Sequence, residues 1–382
     1  MISPFPLRRS GVLLLVLLLA APLIGCTRIT KTPAKPQPFV FRALNLRQQD
    51  AKGRPSWELV SPEARYDLQR RVATAKQPRG VIFAAGKPRY RIEATSGTVI
   101  NDGEVIQLEG KVSIVVIGPQ GATITGDRVR WTPGRSLIEI TGRPLATDRS
   151  SRLTADRARF LIAEDKLELR GSPRLLQPGL NLLTREADWY PPSGVLKAAG
   201  PVLALRQQAG KPDQRLTASA LEGNTREQVF YGMAPVQFVD PAAKTEIAAG
   251  RTRWDLEGER ISSAEPFTGR FDQLNVCGKS LETNLADTTA FIPAGCDLRQ
   301  PGEWLQANTC QWNWTTKVVQ AEGEVRLERQ ANRQITRSAA LSGQVGKDGT
   351  VEFVTPGGRV FTELTVPPPA QGTPRQRPPV SF

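Results

Sequence analysis

One octapeptide recurs through this chain and limits what it can fold into: Ile124-Thr125-Gly126-Asp127-Arg128-Val129-Arg130-Trp131. Val129 and Trp131 alternate with Arg128 and Arg130, the period of two that gives a strand one apolar and one charged face. Leu153 to Phe160 copies the phrase almost residue for residue. Leu182 to Trp189, Ile247 to Trp254 and Leu305 to Trp312 keep its spacing, and weaker copies are read from Ile92, Leu216, Leu281 and Ile335. The step between copies is about 30 residues, a range in which repetition means stacked structural units. A glycine precedes most copies: Gly110, Gly142, Gly171, Gly200, Gly232, Gly295 and Gly323. Several of these are read as opening short alternating strands, as in Gly110-Lys-Val112-Ser-Ile114. The first aliphatic residue and the final aromatic are seven apart, so a straight strand would point them to opposite faces. A bulge or bend at the Gly-Asp or Ala-Asp step is expected to bring both to one side. The plainer alternative is a β-sandwich whose alternation only looks repetitive; five aromatics at one offset weigh against it.

Length alone, at 382 residues, would suggest two or three domains, but repeats contact mainly their neighbours and argue for one elongated all-β body. The 33 Gly and 31 Pro suit a turn-rich chain of that class. The net charge is +14, yet no RNA-binding motif or basic helix accompanies it, so nucleic acid is not expected as a partner. The basic residues fall on outward strand positions. They read either as a solvated face that discourages edge aggregation or as a field attracting anionic headgroups. There is no His, which removes the commonest general base and metal ligand. No G-x-S-x-G, P-loop, zinc spacing or isolated carboxylate pair is present, so neither an enzyme, a metal nor a cofactor is expected.

Residues 1–25 read as a secretion signal: Arg8 and Arg9, then an apolar run from Gly11 to Ile24 that is short for a span needing about 20 residues. Leu23-Ile24-Gly25-Cys26 resembles the lipobox of bacterial lipoproteins, with Cys26 as the acylated residue; an uncleaved anchor is the alternative. Residues 26–38 read as a tether. From residue 39 the chain runs Phe39-Val-Phe41, Leu44-Asn-Leu46, Asp50-Ala-Lys-Gly53, Trp57-Glu-Leu59 and Ala64-Arg-Tyr66. Glu63 to Arg71 also carries spacing compatible with a helix. Residues 367–382, rich in Pro, read as a disordered tail.

This entry segment resembles the start of the LptC family, the membrane-tethered periplasmic component of lipopolysaccharide export. The repeats downstream look like the OstA-type jellyroll repeats shared by LptC and the bridge protein LptA. The resemblance covers about residues 39–366 and implies an open β-jellyroll of antiparallel repeats that holds acyl chains inside and leaves sugars outside. The chain is longer than typical members, as an extended form with extra repeats would be, and a lipobox stands where members carry a transmembrane helix. The implied partners are lipopolysaccharide or a related glycolipid, an inner-membrane ABC exporter, an LptA-like periplasmic jellyroll and the membrane through the N-terminal anchor. The implied location is the periplasm, at the inner membrane, or the outer membrane if lipoprotein sorting applies.

The expected inward column is Val112, Ile114, Ile124, Val129, Trp131, Leu153, Ala158, Phe160, Leu182, Trp189, Ile247, Trp254, Leu305 and Trp312. Each is also explained by plain core packing. A non-catalytic envelope scaffold that joins partners by strand addition is the alternative function. Alternation puts Cys296 and Cys310 inward and Cys277 outward, so an exported chain is expected to pair Cys296 with Cys310; three small reduced residues are the alternative.

Overall fold

The computed structural model describes residues 39–119, 121–330, 333–344, 351–354 and 360–364. The segments read above as signal, tether and tail, with Cys26, lie outside them. The described residues form 36 strands, joined in antiparallel pairs and interrupted only by turns and three single 3-10 turns. Among them no helix is long and apolar enough to cross a membrane. Glu63–Asp67 is a strand, because Ala64 pairs with Ala75 and Tyr66 with Ala73 on the next one.

The pairings resolve into two sheets laid face to face, an antiparallel β-jellyroll. Short strands go to one sheet or the other by turns. Three long hairpins, Val105–Val116 with Thr123–Thr132, Val195–Gln208 with Lys211–Asn224, and Val318–Arg329 with Gln334–Gln344, run through both. Each of these hairpins shifts register where it bends from one sheet into the next: between Gly126 and Arg128, Ala199 and Val202, and Glu322 and Val325. The recurring phrase is that bend. Its aliphatic residue belongs to one sheet and its aromatic to the other, and both look into the interior.

Pairing carries each residue type into a row. In one sheet Ile92 pairs with Ile114, Ile114 with Ile124, Ile124 with Ala146, Ala146 with Leu153, Leu153 with Leu175 and Leu175 with Leu182. In the other, Trp131 pairs with Ile138, Ile138 with Phe160, Phe160 with Leu167, Leu167 with Trp189, and later Phe230 with Trp254 and Ala290 with Trp312. We call these the aliphatic and the indole sheets. Each row crosses about twenty strands, so at about 4.8 Å per strand it is about 95 Å long.

The rows correct the sequence register. The copy expected at Leu281 starts instead at Val276, which lies in the aliphatic row, and ends at Thr283. Likewise the copy expected at Ile335 starts at Thr336 and ends at Gly343. One further copy, Leu59 to Tyr66, leads from the aliphatic to the indole sheet. Thr283 takes the place of an aromatic and uses its hydroxyl on the Ile261 backbone, so no aromatic marks that copy.

The glycines and the Asp of the phrase are partners. The Asp127 amide donates to the Gly142 carbonyl at 2.9 Å, Asp156 to Gly171 at 3.1 Å and Asn308 to Gly323 at 2.8 Å. Gly142 and Gly171 hold φ of +73° and +81°, which L side chains rarely adopt, and a Cβ there would meet Asp127 at 2.8 Å and Asp156 at 2.4 Å. These corner bonds run down one long side of the sandwich. Gly110 therefore sits at a mid-strand corner instead of opening a strand, and Gly232 is no corner at all: it lies within Val229–Gly232 with an ordinary φ.

Candidate functional site

All fourteen inward candidates, Val112, Ile114, Ile124, Val129, Trp131, Leu153, Ala158, Phe160, Leu182, Trp189, Ile247, Trp254, Leu305 and Trp312, lie between the sheets and are 0–4% exposed. They belong to one continuous hydrophobic cluster. Their side chains are packed among other buried residues of that cluster. Aromatic pairs close the space edge to face, one ring from each sheet. Trp57 meets Trp131 at 5.5 Å, Tyr90 meets Phe160 at 5.0 Å, Phe238 meets Trp254 at 6.1 Å and Phe271 meets Trp312 at 4.9 Å between centroids. Such a pair contributes about 0.5–1.5 kcal/mol beyond its buried area. The Nε1 groups of Trp131, Trp189, Trp254 and Trp312 have no acceptor. An unpaired buried donor costs about 1–3 kcal/mol, and the large apolar area of an indole offsets it.

The side opposite the corners is made differently. Turns of the two sheets face each other there as a pair of lips, and among the described residues no backbone hydrogen bond crosses between them. Side chains cross instead. Arg89 of the aliphatic sheet reaches Asp165 in an indole-sheet turn at 2.6 Å, and the Tyr90 hydroxyl donates to the same carboxylate. Arg206 reaches Glu259 at 2.6 Å and the Leu256 carbonyl at 3.2 Å. Gln177 donates to the Thr225 carbonyl at 2.5 Å and to Ser151 at 3.0 Å. Behind Arg206, Gln214 donates to Asp240 at 2.7 Å, both buried. The sandwich is thus closed by backbone on one side and held by removable polar contacts on the other.

Sequence reasoning did not identify these lip residues. The available signal was parity: Val202, Ala204 and Arg206 share the inward face, as do Val236, Phe238 and Asp240. A polar residue on inward parity beside a turn marks a lip.

Cys296, in the aliphatic sheet, and Cys310, in the indole sheet, are disulfide-linked with Cα atoms 5.8 Å apart, next to the corner residues Gly295 and Asn308. Cys277 is free and half-buried on the outer face, opposite Asp297, and burial pushes its thiol pKa up. Among the described residues no cluster of His, Cys, Asp or Glu is arranged to hold a metal.

Residues 13–139 match the family described as lipopolysaccharide-assembly, LptC-related. The match spans about a third of the chain. No curated protein matches the chain. Among solved structures it is similar to the crystal structure of LptH, the LptA homologous periplasmic component of the lipopolysaccharide transport device from Pseudomonas aeruginosa. That likeness has 8% identity and a TM-score of 0.26, covers 30% of this chain and 82% of that one, and is too distant to argue from.

Proposed function

We propose that this chain is a tethered periplasmic conduit of lipopolysaccharide export. Residues 39–366 act as one jellyroll that takes lipid from an inner-membrane ABC exporter and passes it, acyl chains inside, to an LptA-like jellyroll. Cys26, as an acylated residue, or the apolar run before it, holds the body to the membrane. The observation that supports this reading is the long, mostly apolar double row of inward side chains, together with lips bridged among the described residues only by side chains. Each acyl CH₂ buried contributes about 0.8 kcal/mol, so a long chain can displace the aromatic closures and part lips held by a few polar contacts. Entry and exit fall at the two ends, where Phe39–Phe41 and Phe361–Leu364 are edge strands. Phe39, Val40, Phe41 and Phe361 are exposed there, which suits strand addition to a neighbouring jellyroll.

The scaffold reading is favoured by one observation, the packed interior. Photocrosslinking from positions 131, 160 and 254 to lipopolysaccharide in cells separates the two. The conduit requires adducts at all three positions and their loss, with loss of export, in Ala158→Leu and Ala158→Asp variants that remain folded by circular dichroism; Arg128→Asp, on the outer face, keeps both. Normal crosslinking and export in the folded Ala158 variants would leave the scaffold standing.

A further inference from the structure

At the middle of the lips the turn after Leu145–Thr147 faces the turn after Lys211–Asn224 across a cavity of about 260 Å³ lined by Asp148, Arg149, Ser150 and Arg226. The Asp148 side chain is 2% exposed. Its Oδ1 accepts the amides of Ser150 and Ser151 at 3.1 and 2.7 Å, but its Oδ2 has no hydrogen-bond donor. The Arg226 guanidinium approaches only to 3.9 Å, because two of its nitrogens are taken by the Pro191 and Pro192 carbonyls at 2.5 and 2.9 Å. Arg149 is exposed at the mouth and gives one nitrogen to the Pro119 carbonyl at 3.1 Å.

A buried carboxylate oxygen without a donor is costly. Here it stands beside a cavity instead of packed hydrocarbon. A carboxylate only accepts and a guanidinium only donates. The ligand that satisfies both offers a hydroxyl or ammonium hydrogen to Asp148 and anionic oxygens to Arg149 and Arg226. Inorganic phosphate alone fits poorly, since its charge would face the carboxylate.

We infer that this lip cavity is a headgroup site for a phosphorylated amino sugar. Asp148 accepts from a sugar hydroxyl or ammonium, and Arg226 and Arg149 donate to the phosphate. The inference rests on the conduit reading, because the site sits where a lipid with its chains between the sheets leaves its headgroup. It adds that the lips read the headgroup as the lipid passes.

Titration calorimetry on the full chain in a non-ionic detergent tests it with three probes: glucosamine 1-phosphate, inorganic phosphate and glucose. Glucosamine 1-phosphate should bind about tenfold tighter than either other probe, the worth of one charge-assisted hydrogen bond. Asp148→Asn, which keeps an oxygen for the Ser150 and Ser151 amides, should lose that preference while inorganic phosphate binds more tightly than before. Arg226→Gln should weaken both phosphate-bearing probes and leave glucose unchanged; Arg149→Gln, at an exposed residue, should do the same more weakly with no demand on folding. Equal binding of the three probes, binding of none, or an unchanged order in Asp148→Asn overturns the inference. Crosslinking from position 131 to lipopolysaccharide is read separately: adducts there with no headgroup preference would sink this site and leave the conduit intact.

Discussion

The two long sides of the sandwich solve the same problem in opposite ways. Along the corners the chain itself passes between sheets, the positive-φ glycines Gly142, Gly171 and Gly323 fit against Asp or Asn, and backbone hydrogen bonds continue the ladder. Along the lips the chain turns back within each sheet, and among the described residues side chains such as Arg89, Arg206, Gln177, Tyr90 and Arg226 cross. A ladder of backbone bonds reinforced by covalent connection opens only with unfolding. A partly exposed ion pair contributes about 0.2–1 kcal/mol. If the sheets part in the folded protein, the corners are the hinge and the lips are the mouth.

The sharpest way to break that comparison is at a corner. Gly171→Val places a Cβ-branched residue at φ +81° and against Asp156, and should cost about 3 kcal/mol or more in thermal denaturation. A loss below about 1 kcal/mol would mean that corners and lips are alike. The disulfide ties the two sheets on the corner side. Replacing Cys296 and Cys310 together by Ser should cost up to about 3 kcal/mol in denaturant titration, as expected for a bridge with a sequence separation of 14, and reductant should do the same to the natural chain.

Effects at the lips should be smaller and different in kind. Asp165→Asn and Glu259→Gln should each cost no more than about 1 kcal/mol. Hydrogen exchange should nevertheless speed up in the turns at 162–165 and 256–259 while the corner amides of Asp127 and Asp156 stay protected. Corner amides that open first would reverse the assignment of hinge and mouth.

The smallest expected effect is electrostatic and should not tell the sides apart. The Arg143 guanidinium holds the corner residue Asp127 below the usual carboxylate range. Arg71 and then the Tyr66 hydroxyl do the same for Asp102, in a turn of the indole sheet. A depressed folded pKa means that these contributions are complete above the unfolded value of about 3.9 and are lost as pH falls through the folded one. Both groups are exposed, so the drop in denaturation midpoint from about pH 6 to about pH 3 should shrink only slightly, and similarly, in Asp127→Asn and Asp102→Asn. A markedly larger change for either variant would show a side whose stability rests on charge.

What the sequence could reveal follows from where each feature's information lies. The bend at Gly126-Asp127 was legible because a seven-residue offset conflicts with a period of two, and only a corner resolves the conflict. The indole row was legible wherever a large ring occupied it. It was lost at Thr283 and Gly343, which hold the same row without a ring, and the register was misplaced at both. Leu59 to Tyr66 makes the same step between sheets with Ser61-Pro62 in place of Gly-Asp or Ala-Asp, so its sequence reads only as entry strands. The lips were opaque because a polar residue at the end of a strand resembles any turn residue. Arg206 and Glu259 meet across 53 positions of sequence that no local pattern connects.

The repeat also makes the molecule a ruler. Each phrase of about 30 residues carries the chain out along one sheet and back along the other, and so adds two strands to each. At about 4.8 Å per strand, one phrase lengthens the body by about 10 Å. Because each unit contacts chiefly its neighbours, phrases can be gained or lost by duplication and deletion without redesigning the rest. The length of the body is then a quantity the genome sets by counting. On the conduit reading proposed above, a jellyroll with more phrases carries its lipid further.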